Sequence, residues 1–263
     1  GGFTSSRNTY SFAAAEVVVP HVLGSFREPL DTMTSWDSIA SDCETFVAFG
    51  GVPLKNGQIS QGGTGAHVQK QGLLDAHAAG VGFVNISPLQ SDLLQDIEAE
   101  WLPIRPNTDV ALMLALAFVL LDEGLHDQEF LEAYTEGFGP FATYLRGETD
   151  GIPKTPKWAA EITEIPAGQI TALAQRMAAT RTMISVSWSL TRQDHGEQPF
   201  WAAIALAAML GQIGLPGTGI GFGYSAMNNS GLNRQQINYA SLPQGQNPVS
   251  DFIPVARITE MLE

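Results

Sequence analysis

A single cysteine, Cys43, occurs in 263 residues, so no internal disulfide and no thiolate metal cluster can form. Basic residues are scarce as well: 13 Lys and Arg against 27 Asp and Glu leave a net charge of −14. That balance disfavours nonspecific binding to nucleic acid or to an anionic membrane. No GK[ST] phosphate loop occurs, and His21, His67, His77, His126 and His195 show no HExxH or other metal-ligand spacing. Long apolar runs are missing too. The two nearest to one, Val110–Leu121 and Phe200–Leu210, are each about a dozen residues, short of the ~20 that a bilayer requires. They read as buried core helices. The chain opens Gly1-Gly2-Phe3 with neither Met nor a basic, apolar leader, the pattern of a processed chain or of a piece of a longer one.

Hydrophobic content of 44% with 15% charged residues fits a folded protein with a large buried core. Thr45–Phe49 (TFVAF) is β-rich and stops at Gly50-Gly51, Ala66–Ala79 has helical spacing, and Val81–Ile86 (VGFVNI) is a second apolar strand. Strand, helix and strand in that order predict a βαβ unit with parallel pairing. Thr108-Asp109 reads as a helix start, with Thr108 as N-cap and Asp109 favoured by the dipole of the first turn. That helix is expected to run to about Asp122 and stop at Gly124. Further helices are expected over Asp127–Leu145, Trp158–Ile162, Ala167–Ala179 with Pro166 at its first turn, Pro199–Gln212 and Ile253–Leu262. Met183–Ser189 (MISVSWS) is a further strand, and Arg146–Lys157 and Gly231–Pro248 look like linkers.

In an open α/β sheet, ligands bind beyond the carboxyl ends of the strands. Three segments directly follow strands: Gly50 to Asn56, Asn85-Ile86-Ser87-Pro88, and Trp188 to Arg192. Glycines let backbone N–H groups approach a phosphate. Lys55 and Arg192 bring charge, Asn85 and Ser87 neutral donors, and Trp188 a stacking surface. Each alone is also the composition of an ordinary loop. The series Gly217, Gly219, Gly221, Gly223 lacks the strand–turn–helix setting of a dinucleotide fingerprint and reads as a close-packed glycine turn. His195 with Glu197 reads as a surface turn before it reads as an acid–base pair.

Longer motifs say more. "WSLTRQDHGEQ" followed by "AAMLGQIGLPGTGIGFGY" resembles the molybdenum bis(molybdopterin guanine dinucleotide) oxidoreductases, in the branch of dimethyl sulfoxide, trimethylamine N-oxide and biotin sulfoxide reductases. The likeness continues through "RPNTDVALMLALAFVL", "LHDQEFLEAYTEGF", "YLRGETDGIPKTPKWAAEI" and "GGFTSSRNTYSFAAAEVVVPHVLGS", almost the whole chain. It implies that Trp188, Ser189 and Arg192 contact the pterin guanine dinucleotide. Lys55-Asn56 matches the Lys-Thr contact, and Asn85-Ile86-Ser87 matches the Asn-Pro segment. Thr108-Asp109 matches a position where a carboxylate pairs with guanine's N1–H and amino group. There are departures: Gly50-Gly51-Val52-Pro53 stands where the branch has Ala-Asn/Asp-Pro, and Ile86-Ser87-Pro88-Leu89-Gln90 replaces a Pro-x-Arg, removing a basic contact.

The fold expected is therefore α/β, a Rossmann-like parallel sheet flanked by helices, the central part of a larger molybdopterin oxidoreductase. Residues 1–44 are expected to serve a neighbouring domain, 45–230 to form the cofactor-binding domain with a helical insertion, and 231–263 to connect onward. The resemblance implies oxygen-atom transfer from a small S- or N-oxide and an electron donor such as a cytochrome. The net charge argues against a nucleic-acid partner, and no membrane span is read in this chain. The periplasm is implied, or the cytoplasm for the biotin sulfoxide type. It places the molybdenum-ligating serine upstream of Gly1, so neither a catalytic residue nor a metal ligand is assigned here. The rival readings are a non-catalytic subunit of the same fold in an electron-transfer complex and an unrelated α/β nucleotide-binding module.

Overall fold

A computed structural model describes residues 2–58, 65–228, 230–232 and 240–262. In chain order the elements are β1 (Ser5–Arg7), α1 (Ala13–Leu23), α2 (Arg27–Asp31), α3 (Trp36–Asp42), β2 (Thr45–Phe49), α4 (Val68–Ala78), β3 (Gly82–Ile86), β4 (Ala99–Leu102), α5 (Asp109–Asp122), α6 (Gln128–Tyr134), α7 (Phe138–Leu145), α8 (Pro156–Thr163), α9 (Ala167–Ala179), β5 (Thr182–Val186), α10 (Gln198–Met209), β6 (Gly219–Phe222) and β7 (Phe252–Pro254). Five strands form one parallel sheet in the order β4-β3-β2-β5-β6, and β1 pairs in parallel with β7 apart from it.

Both faces of the sheet are covered, which explains why its central strands read as continuous apolar runs. Alternation along β2 sends Phe46 and Ala48 to one face and Val47 and Phe49 to the other. The first pair joins Trp36, Ile39, Leu73 and Ala76 from α3 and α4. The second joins the larger core built by α1, α5, α7, α8, α9 and α10. Helix α5 is buried nearly all round and packs on α8, α9 and α10, so its uniformly apolar sequence is that of a central core helix. Among the described residues no helix is long and apolar enough to cross a membrane. The thiol of Cys43 is buried and pushed up to about 11 by that burial, leaving it inert.

Several expectations need correction. Thr108 occupies the N-cap position of α5 but makes no cap bond; at φ −116° and ψ 12° its hydroxyl donates to the Arg105 carbonyl at 2.7 Å instead. The stretch Asp127–Leu145 is two helices, broken where Gly137 takes φ +86°. Strand β5 ends at Val186, because Ser187 Oγ accepts the Ser189 N–H at 3.3 Å and starts a 3₁₀ turn over Trp188–Thr191. The glycine series includes a strand, β6, in which Gly221 admits the ring of Tyr224; a Cβ there would stand 2.4 Å from it. Ile253–Leu262 is strand β7 followed by a 3₁₀ segment, consistent with Pro254 disfavouring helix at the residue before it.

Arg146–Lys157 is a folded clasp and not a linker. Lys154 is only 2% exposed, donates to Asp150 Oδ2 at 2.7 Å and lies 4.2 Å from the centre of the Tyr144 ring. Of the second linker, Gly231–Pro248, residues 233–239 lie outside the described residues, and 240–248 form no regular element. Residues 1–44, assigned above to a neighbouring domain, pack on this unit: Ala15 and Val19 enter the larger core, and Trp36 and Ile39 the smaller one.

Candidate cofactor cleft

The strand order locates a switch point. The chain builds outward from β2 through β3 to β4, then returns to lay β5 on the other side of β2. After β2 it leaves toward α4 on one face; after β5 it leaves toward α10 on the opposite face. Between the carboxyl ends of β2 and β5 the two connections therefore part, the topological switch point at which open α/β sheets bind ligands.

Gly50 and Gly51 lie at this switch point, between the loops that follow β3 and β5. Both take positive φ, +79° and +69°, which suits glycine and little else. A Cβ on Gly50 would lie 2.6 Å from the Ser187 Cβ, and one on Gly51 would lie 2.4 Å from the Asp92 carbonyl oxygen. The Gly50 N–H donates to the Ile86 carbonyl at 2.8 Å, and the Ser187 N–H to the Phe49 carbonyl at 2.9 Å, so the ladder runs up to the rim.

Around the switch point the candidate residues take definite places. Trp188 follows β5; its indole centre lies 3.9 Å from that of Phe12, so one face of the proposed stacking surface is covered from within. Its Nε1–H is buried without a partner among the described residues. Ser189 is exposed and shares a 2.8 Å hydrogen bond with the Ser187 hydroxyl. Arg192 is exposed, with Nε donating to the Ser11 carbonyl at 2.9 Å and Nη2 to the Ser11 hydroxyl at 3.1 Å. The remaining donors of its fork carry no bond among the described residues. Lys55 and Asn56 sit exposed on the turn after β2, with the Lys55 ammonium 3.5 Å from Asp92 Oδ1.

On the β3 side, both N–H groups of the Asn85 amide are spent, on the Leu89 carbonyl at 3.4 Å and the Gln90 carbonyl at 3.1 Å. Two carbonyls on that side fix the amide orientation, and Asn85 Oδ1 is left buried and unpartnered. Asn85 thus offers an acceptor, not the donor expected of it. The Ser87 hydroxyl also has no hydrogen to give a ligand, since it donates to Asp92 Oδ2 at 2.7 Å. The Ile86 side chain is fully buried in the larger core and only its backbone reaches the rim.

Asp109 opens α5 a short connection beyond β4. It is 6% exposed, and burial raises its carboxyl to about 6 against the opposing bond from its own backbone N–H. No direct hydrogen bond or ion pair among the described residues joins Lys55 or Asn85 to Trp188, Ser189 or Arg192. They share an edge, separated by Gly50 and Gly51. His195, at φ +53°, lies 3.5 Å from Glu197 in an exposed turn, and no group of three or more potential metal ligands occurs among the described residues.

The residues that hold this edge together are ones that composition did not single out. Asp92 gathers Lys55, Ser87 and the Val52 N–H; Ser11 and Phe12 brace Arg192 and Trp188. Asp92 had no distinguishing signal, since the segment between β3 and β4 also carries Asp96 and Glu98. Ser11 and Phe12 had none, because their role depends on a contact across most of the chain.

Comparison with known proteins agrees with this architecture. The molybdopterin oxidoreductase family model matches residues 7–253. A biotin sulfoxide reductase of Cereibacter sphaeroides is 46% identical over 100% of this chain and 35% of its own length. A dimethyl sulfoxide/trimethylamine N-oxide reductase of the same organism is 38% identical over 100% of this chain and 33% of its own. The chain thus spans about a third of the length of these relatives. The acetylene hydratase structure from Pelobacter acetylenicus superposes with a TM-score of 0.53 at 22% identity, covering 80% of this chain and 28% of that one, which speaks for the fold alone. The chain belongs to the molybdopterin oxidoreductase family, whose members imply a molybdenum–pterin cofactor.

Proposed function

We propose that this chain is the cofactor-holding centre of a molybdenum-dependent reductase of small S- or N-oxides, and that its cleft takes a pterin guanine dinucleotide. The observation that carries the reading is the switch point of the sheet between β2 and β5, where the loops that hold Lys55 and the Trp188–Arg192 segment leave on opposite faces. The residues fit such a group. The buried Trp188 Nε1–H and Asn85 Oδ1 are a donor and an acceptor each short of a partner, and Gly50 and Gly51 let the loops after β3 and β5 close on the end of β2.

When bound, the molybdenum–pterin group supplies two-electron oxygen-atom chemistry; the protein binds and orients it. Arg192 brings a fixed positive charge whose free donors suit a phosphate oxygen. Lys55 brings a second, mobile charge from the β2 side. Trp188 donates through Nε1, with Phe12 backing its ring. Asp109, nearly dry at the start of α5, would ionise on pairing with the two N–H donors of a guanine edge. Asn85 and Ser87 act as acceptors and as parts of the rim. The metal bond falls to other parts of the enzyme.

The test is an assay of the full-length polypeptide, expressed with molybdate, using reduced viologen and dimethyl sulfoxide, trimethylamine N-oxide or biotin sulfoxide. Turnover with at least one oxide is expected. A protein that carries molybdenum yet reduces none of the three would instead be a non-catalytic subunit of the same fold.

A further inference from the structure

We propose that Asp92 is the internal counter-ion of the cleft, holding Lys55 at the rim until an anionic ligand takes the ammonium from it. The inference rests on the reading above, which supplies the anion. Asp92 is fixed from several sides. Its Oδ2 accepts from the Ser87 hydroxyl at 2.7 Å, its carbonyl accepts the Val52 N–H at 2.7 Å, and its own N–H donates to the Leu89 carbonyl at 3.1 Å. Gly51 lies so close to that carbonyl that no larger residue fits. The Asp92 side chain is 16% exposed.

Lys55 has the opposite character. Its side chain is 70% exposed, and the 3.5 Å approach to Asp92 Oδ1 is its one polar contact among the described residues. When such a pair parts, the partner that moves is the one on a flexible four-carbon stem in water, so the carboxylate stays and the ammonium swings. The pair is loose and screened, and an exposed ion pair of this kind is worth little. A phosphate, with more charge and more acceptor oxygens, competes well for the same ammonium. Asp92 keeps its bond from Ser87 after the exchange, so the two strand-end loops hold their geometry. Ser87 and Asp92 thus form the fixed part of this rim and Lys55 the part that reaches the ligand.

The test uses GDP as probe, titrated calorimetrically into the cofactor-free full-length protein. Asp92→Asn removes the charge but keeps an oxygen to accept from Ser87. It should tighten GDP binding by about two- to fivefold and leave the thermal midpoint essentially unchanged. Lys55→Ala should weaken binding, and adding Asp92→Asn to it should give no further change. Binding that weakens or stays equal in Asp92→Asn overturns the inference, as does a gain that persists without Lys55. Absence of GDP binding by the wild type overturns the functional reading itself, whereas normal wild-type binding with the wrong response in Asp92→Asn overturns the counter-ion role alone. Should Asp92→Asn fail to fold, the ¹³C-dimethylated amine of Lys55 in the wild type decides. Its NMR signal must move as GDP is added, and a static signal at saturating GDP contradicts the exchange.

Discussion

Asp109 carries a carboxyl that burial has raised to about 6 from its ordinary value of 3.8. Folded above unfolded means that the native state holds the extra proton. Its stabilising effect is therefore fully present below about pH 4 and is lost as pH climbs toward 6. Relative to Asp109→Asn, the cofactor-free wild type should lose at most roughly 3 kcal/mol of stability across that window. Thermal midpoints of the two proteins, measured from pH 4 to pH 7, check this; parallel curves would show that Asp109 is not desolvated. A guanine edge offering two N–H donors favours the charged form, so GDP should flatten the difference. Two bracing residues also matter at this scale. Ser11 uses two of the Arg192 donors, which aims the rest of the fork, and Phe12 lies against the indole of Trp188.

Among the elements, the contact between α3 and α4 is set by Gly72. A Cβ on it would stand 2.2 Å from the indole of Trp36, and that indole is itself pinned by Nε1 donating to the Ser230 carbonyl at 3.1 Å. Gly72→Ala should therefore cost about 1–3 kcal/mol by overpacking, even though alanine is the better helix former. Chemical denaturation of wild type and variant checks the sign; a stabilised variant would mean that α3 can back away. The sheet and its main helices were legible because their patterns are strong. TFVAF and VGFVNI are buried on both faces, and the apolar run of α5 has no other home than a core. What was not legible depends on backbone geometry or distance. The Gly137 break looks like continuous helix until its φ is known, and β4 is a short strand whose burial is mixed. The candidate site was legible as three loops after three strands. Which polar atoms those loops have left to offer was not: Asn85 and Ser87 spend their hydrogens on carbonyls and on Asp92, partners that spacing does not reveal.

For the molecule as a whole, a net charge of −14 surrounds a cleft proposed to bind an anion, so the few cations at the rim must oppose the field of the rest. Lys55 and Arg192 lie on opposite sides of Gly50 and Gly51, one tethered to Asp92 and the other to Ser11. Arg192 is the more telling of the two, since it cannot lose its charge at neutral pH and an exposed arginine of this kind contributes little to folding. The most direct measurement is therefore the molybdenum and guanine nucleotide content, per polypeptide, of the full-length enzyme carrying Arg192→Ala, beside the thermal midpoint of its cofactor-free form. Cofactor content should fall well below wild type while the midpoint of the cofactor-free protein stays nearly unaltered. Normal cofactor content together with a destabilised cofactor-free protein would contradict the assignment and make Arg192 a brace for the Ser11 segment.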